Sequence, residues 1–200
     1  ERALEHNVSL ADIFSMVTAF RSKDSSTPVV LMGYLNPIER MGYNTFTKRA
    51  ADAGVDGVLV VDLPPEEGHD FLLEMKASDL DSVYLIAPTT TDDRIKTICD
   101  ASSGYVYYVS VKGVTGSASL DVTSVAEKLA IIREKSDIPV GVGFGIKDAE
   151  TAKKVSETAD AVIVGSSLVS IIEQLSDDRD KMVTKVGNLA RQISSAIKKD

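Results

Sequence analysis

The sequence predicts an α/β fold of the closed TIM (β/α)8 barrel type, of which roughly strands 3 to 8 lie in this chain. Three observations carry that expectation. Short apolar runs alternate with amphipathic stretches six times along the 200 residues. The runs are rich in valine and isoleucine with no polar alternation, the mark of parallel strands buried on both faces. The glycine-rich turns come late, after the fifth and sixth runs, where barrels of this type hold phosphate.

In chain order, the first amphipathic stretch has Ser9 as a helix N-cap and a stripe of Ile13, Phe14, Val17 and Phe20. The apolar runs follow at 28–34 (PVVLMGY), 56–63 (DGVLVVDL), 82–87 (SVYLIA), 104–110 (GYVYYVS), 138–142 (IPVGV) and 160–164 (DAVIV). Between the runs, Val122, Val125, Ala126, Leu129 and Ile132 keep helical spacing, and Leu168, Ile171, Ile172 and Leu175 do the same. Both read as outer helices with one buried face. A last helix carries Met182, Val186, Leu189, Ile193 and Ile197. An open dinucleotide-binding sheet would place G-x-G-x-x-G after an early strand, and no such turn is present. If the last two runs are strands seven and eight, two βα units precede residue 28, where only one helix stands. The expectation is a single barrel domain over 1–200, incomplete at its N-terminus.

Composition narrows the function. A net charge of −8 with interleaved signs argues against nucleic acid as a partner. No apolar run approaches the roughly 20 residues that span a bilayer, and Glu1-Arg2 does not open a signal peptide, so a soluble, cytoplasmic protein is expected. One cysteine (Cys99) and two histidines (His6 and His69) are too few for a disulfide framework or a His/Cys metal site. Metal-free chemistry is expected.

GVGFG (Gly141 to Gly145) and GSS (Gly165 to Ser167) place backbone N–H groups at strand ends, and the second opens a helix whose dipole points at the same spot. Glycine also simply permits tight turns; two such turns on consecutive late strands favour an anion site. Tyr105 and Tyr107 project to one side of their strand and Tyr108 to the other, and the glycine-bounded loop around 111–121, with Lys112 and Thr115, could close over a ligand. Asp62 ends a strand where a general base would stand, although Pro64 and Pro65 directly after it favour a structural, turn-organising role. Glu66 and Glu67 are read as opening the next helix, and Asn36-Pro37 as starting a turn.

The strings PVVLMGYLNP, AGVDGVLVVDLPPEE, GYVYYVSVKGVTG, PVGVGFGI and ADAVIVGSSLV, in this order, resemble the tryptophan synthase α subunit along the whole chain. The resemblance implies a lyase of tryptophan biosynthesis that splits indole-3-glycerol phosphate into indole and glyceraldehyde 3-phosphate. It implies no cofactor in this subunit, pyridoxal phosphate in a partner β subunit, and an α2β2 heterotetramer. It places the phosphate on Gly116, Gly145, Gly165 and Ser166 with Phe144 between the glycines, and gives supporting roles to Tyr107 and to Thr115 of the closing loop. Tyr34, Met32 and Leu59 would line the indole end, and Asn36 and Pro37 would lie in a loop facing β. The family's two catalytic carboxylates, a glutamate and an aspartate, fall before residue 1 of this sequence. Two alternatives stand beside this reading: another phosphate-binding barrel, an isomerase or epimerase, and a non-catalytic barrel that gates a partner enzyme.

Overall fold

The computed structural model describes residues 5–110, 122–143 and 145–198. They fall into two compact units, one of Glu1–Tyr84 with Ala101–Gly104 and one of Leu85–Asp100 with Tyr105–Asp200.

The first unit opens with helix α1 (Leu10–Arg21), whose start follows from the sequence. Ser9 Oγ accepts the Asp12 N–H while the Asp12 carboxylate accepts the Ser9 N–H at 2.8 Å, so two of the otherwise unpaired helix-terminal donors are satisfied reciprocally. Phe14 and Val17 are buried as the periodicity predicts and Ile13 is partly buried, whereas Phe20, the last residue of the expected stripe, is 39% exposed. Strand β1 (Val30–Gly33) pairs in parallel with β2 (Gly57–Val60), and β2 with β3 (Asp81–Ile86). Helices α2 (Leu35–Met41), α3 (Tyr43–Ala53) and α4 (His69–Ala77) lie between the strands in the chain. The core on the helix side joins Val58 and Val60 of β2 to a ladder of rings, Phe14 against Phe46 at 5.8 Å and Phe46 against Phe71 at 6.0 Å. Each ring withdrawn from water contributes on the order of 1.5–3 kcal/mol.

Charge organises the start of the strands. Asp56 Oδ2 accepts the Val29 N–H at 2.6 Å and the Arg21 guanidinium at 2.5 Å, while Arg21 Nε donates to the Gly54 carbonyl at 2.7 Å. One arginine at the end of α1 thereby joins the helix end to the entrances of two strands.

In the second unit, α5 (Asp92–Ala101), β4 (Val106–Val109), α6 (Val122–Lys135), β5 (Val140–Gly143), α7 (Ala149–Ser156), β6 (Ala161–Ile163), α8 (Ser166–Gln174) and α9 (Arg179–Ile197) follow in order. Strands β4, β5 and β6 are parallel, with Tyr107 beside Gly141 and Gly143 beside Ile163. Val125, Leu129 and Ile132 form the buried stripe of α6. Helix α9 packs on α7 and α8 and buries Ile193. Asp160 repeats the part played by Asp56, accepting the Val140 N–H at 2.9 Å and facing Arg133 at 3.4 Å.

Three expectations need correction. Asn36 and Pro37 are not in a loop but in the first turn of α2, where proline is tolerated because the N–H it lacks has no intrahelical partner. Glu66 and Glu67 precede the helix rather than opening it; the Glu67 N–H closes a turn on the Pro64 carbonyl at 3.1 Å, and Asp70 is the acid in the first turn of α4. Helix α8 has no fully buried residue, and Ile172 is 45% exposed.

Candidate active site

The late turns of the second unit come together through one side chain. Ser167, in the first turn of α8, donates its hydroxyl to the Ile146 carbonyl at 3.3 Å, joining the turn after β6 to the turn after β5. Gly165 is the N-cap of α8 and supplies no capping side chain, so the first amides of that helix take no side-chain cap from it and the positive end of the helix dipole lies at this turn. The space before Gly165 is open: a Cβ built there meets no atom within 4 Å. Ser166, the first helical residue, is exposed beside it. Gly145 has φ +77, the left-handed region that strains side-chain-bearing residues, so the turn after β5 needs glycine there. Helix α7 then begins on Asp148, whose carboxylate accepts the Thr151 N–H at 2.8 Å.

Gly143 belongs to a different arrangement from the open turn expected of it. A Cβ at that position would stand 2.3 Å from the Tyr107 hydroxyl oxygen and 2.5 Å from Cε2, so the tyrosine ring lies directly on the glycine. The same relation holds one step back along the strands, where a Cβ on Gly141 would meet Tyr105 Cδ2 at 3.3 Å and Ile163 Cδ1 at 2.9 Å. Glycines on β5 thus leave room for the tyrosines of β4. Tyr108 on the opposite face is 2% exposed, whereas Tyr105 and Tyr107 are partly exposed, as strand alternation requires. Burial pushes the Tyr107 hydroxyl above its ordinary range, with a smaller push from Tyr105, so it stays protonated and able to donate at neutral pH. Ser110, just past β4, directs both its N–H and its hydroxyl at the Gly143 carbonyl, at 3.0 and 2.8 Å.

The first unit presents an apolar face opposite its helix-side core. Met32 and Leu59 are neighbours in the β1–β2 register and therefore share a face, with Tyr34 two residues beyond Met32 and Val61 two beyond Leu59. Leu59 is 2% exposed, while Met32 at 61% and Tyr34 at 63% stand open. Val61, 36% exposed, has the same strand parity as Leu59 and was not singled out from sequence; alternation along VLVVD was the available signal.

Asp62 takes the structural role: its Oδ1 accepts the Leu35 N–H at 2.8 Å. Cys99 is buried on α5, where desolvation raises its thiol above the ordinary range, and His69 is the first residue of α4. Thr115, Gly116 and Phe144, with Lys112 and the rest of 111–121, lie outside the described residues.

These features define a class, a parallel α/β protein with open glycine turns and partly exposed tyrosines at strand ends in one unit and partly exposed apolar side chains at strand ends in the other. The family model for the tryptophan synthase alpha chain matches residues 1–198. The chain belongs to that family. It is 55% identical over 197 residues to the tryptophan synthase alpha chain of Thioalkalivibrio sulfidiphilus, covering 98% of this chain and 74% of that protein. It is 58% identical over 179 residues to that of Burkholderia pseudomallei, covering 90% and 66%. Among solved structures, the α subunit from Legionella pneumophila str. Paris superposes with a TM-score of 0.87 at 38% identity, over 98% of this chain and 72% of that one. A chain of the Pyrococcus furiosus α2β2 complex, described in terms of mutual activation, superposes with a TM-score of 0.86 at 35% identity, over 97% and 77%. The fold is thus that of the tryptophan synthase α chains, the barrel type expected from sequence. Members of this family are lyases of tryptophan biosynthesis; the α chain carries no cofactor, pyridoxal phosphate belonging to the β subunit.

Proposed function

We propose that this chain binds indole-3-glycerol phosphate for retro-aldol cleavage to indole and glyceraldehyde 3-phosphate, with its phosphate end at the turns joined by the Ser167–Ile146 hydrogen bond. That hydrogen bond carries the reading, because it brings two independent glycine turns to one helix N-terminus at which Gly165 faces open space. Gly145, Gly165 and Ser166 supply the donors described here; Gly116 and Phe144 complete the set that the family resemblance assigns. The indole ring is assigned to the apolar face of Met32, Tyr34 and Leu59.

The cleavage breaks a carbon–carbon bond and needs a base on the glycerol hydroxyl and an acid to protonate the ring carbon. The family resemblance assigns these two tasks to a glutamate and an aspartate. The part assigned to this chain is to anchor and orient, which lowers the barrier through entropy already lost on binding. Tyr107 supports that region with a protonated hydroxyl, and Thr115 is assigned to the loop that closes over substrate. Asn36 and Pro37, exposed in the first turn of α2, are assigned to the face that meets a β subunit in an α2β2 assembly. The reaction belongs in the cytoplasm with the rest of the pathway, and no helix among the described residues is long and apolar enough to cross a membrane.

The test is Gly165→Asp. The open space leaves room for a side chain, so the fold should hold while the added carboxylate repels phosphate. Affinity for a glycerol-phosphate analogue should fall at least tenfold, the scale of losing one charge-assisted hydrogen bond or more. Unchanged affinity removes the phosphate assignment.

A further inference from the structure

We propose that Asp62 is a positioning residue for the indole end of the site, one that grips the backbone beside Tyr34 and so sets where the tyrosine ring stands. The inference rests on the assignment of Tyr34 to the indole ring. Two consecutive residues at the end of β2 hold the chain on either side of Tyr34. The Val61 N–H donates to the Gly33 carbonyl at 2.9 Å, and Asp62 Oδ1 accepts the Leu35 N–H at 2.8 Å. The first contact continues the ladder between strands and needs no side chain. The second depends entirely on the Asp62 carboxylate.

The local chemistry explains why such a grip is needed. Tyr34 is the N-cap of α2, with extended backbone at φ −107 and ψ 157, and makes no side-chain capping hydrogen bond. Leu35 is the first helical residue, so its N–H has no partner within the helix. The acceptor comes instead from 27 residues further along the chain. With 63% of Tyr34 and 61% of Met32 exposed, packing does little to fix either side chain, and what the Asp62 contact fixes is the backbone from which the Tyr34 ring projects. Asp62 also ties the start of α2, the helix bearing Asn36 and Pro37, to the end of the strand that carries Leu59.

The experiment compares Asp62→Ala, Asp62→Asn and Tyr34→Ala in the full-length α chain with a β subunit present, measuring kcat and KM for indole-3-glycerol phosphate. Affinities for inorganic phosphate and for an indole-bearing phosphonate are measured on the same proteins. Asp62→Ala should raise KM about tenfold, the scale of one lost hydrogen bond to a charged group, with kcat changed less than about twofold. It should weaken the indole-bearing ligand and leave inorganic phosphate binding as in the parent. Asp62→Asn keeps an oxygen acceptor for Leu35 and should recover most of the loss. If Tyr34→Ala raises KM and Asp62→Ala does not, the positioning role is overturned while the indole assignment stands. If Tyr34→Ala changes neither KM nor the indole-bearing ligand, the indole assignment itself falls and the inference with it. If both Asp62 variants lose kcat at unchanged KM, Asp62 acts in the chemistry and the positioning role is overturned.

Discussion

Replacing Gly143 by alanine should displace Tyr107 and be suppressed by shortening that tyrosine. The new methyl group would stand 2.3, 2.5 and 2.7 Å from Oη, Cε2 and Cζ of the ring. Unstrained carbon contacts fall near 3.5–4.0 Å, so about 1 Å of overlap must be relieved. The Gly143 backbone cannot move, because β5 is paired with both β4 and β6 and Ser110 holds its carbonyl. The ring must yield, at a cost of about 1–3 kcal/mol for overpacking, or a few degrees in Tm for a chain of this size. Urea denaturation of Gly143→Ala, Tyr107→Ala and the double variant measures the coupling, expected at about 1–2 kcal/mol in favour of the double variant. Tyr107→Phe should not suppress, since Cε2 and Cζ remain in the way. Additivity within about 0.5 kcal/mol would show that the ring does not rest on the glycine, and the reasoning would fail.

Three further expectations follow, two from single residues and one from the assembly. Gly145→Ala forces a side chain into the left-handed region and should cost about 1–3 kcal/mol in thermal denaturation while weakening binding of inorganic phosphate; an alanine variant as stable and as tight as the parent would contradict the turn geometry. Asp24 accepts hydrogen bonds from the Thr27 hydroxyl, the Thr27 N–H and the Ser26 N–H, which hold its carboxyl well below the ordinary 3.8. A lowered folded-state value means its stabilisation is present above that ordinary value and is lost as pH falls through the lower one; Asp24→Asn should therefore flatten the acid limb of a stability–pH profile, and an unchanged limb would refute the linkage. For the assembly, calorimetric titration of the full-length α chain into β should give tighter binding with a glycerol-phosphate analogue present, by the same factor that β tightens the analogue; identical dissociation constants would remove the coupling.

What sequence alone determined about this protein is what depends on neighbours along the chain. Unbroken apolar runs such as VLV in β2 mark buried parallel strands, and residues 3 and 4 apart, such as Val125, Leu129 and Ile132, mark the covered side of a helix. Ser9 was enough to mark the start of α1, since a cap lies within one turn of the amides it serves; its reciprocal partner Asp12 came from the structure. The late glycines at 145 and 165 were visible for the same local reason. What only the tertiary structure decided is which distant groups meet. The sequence offered Asp62 as either a base or an anchor, and the choice rested on an N–H 27 residues away. Gly143 looked like its neighbours in GVGFG, yet its lack of a side chain serves a ring on another strand, Tyr107. Asn36-Pro37 read as a turn, whereas the Leu35 N–H at the entrance of that helix takes its acceptor from Asp62 rather than from the local sequence. The physical reason is common to all three. Register between strands fixes the pairing, and register depends on packing of whole faces rather than on the identity of any one residue.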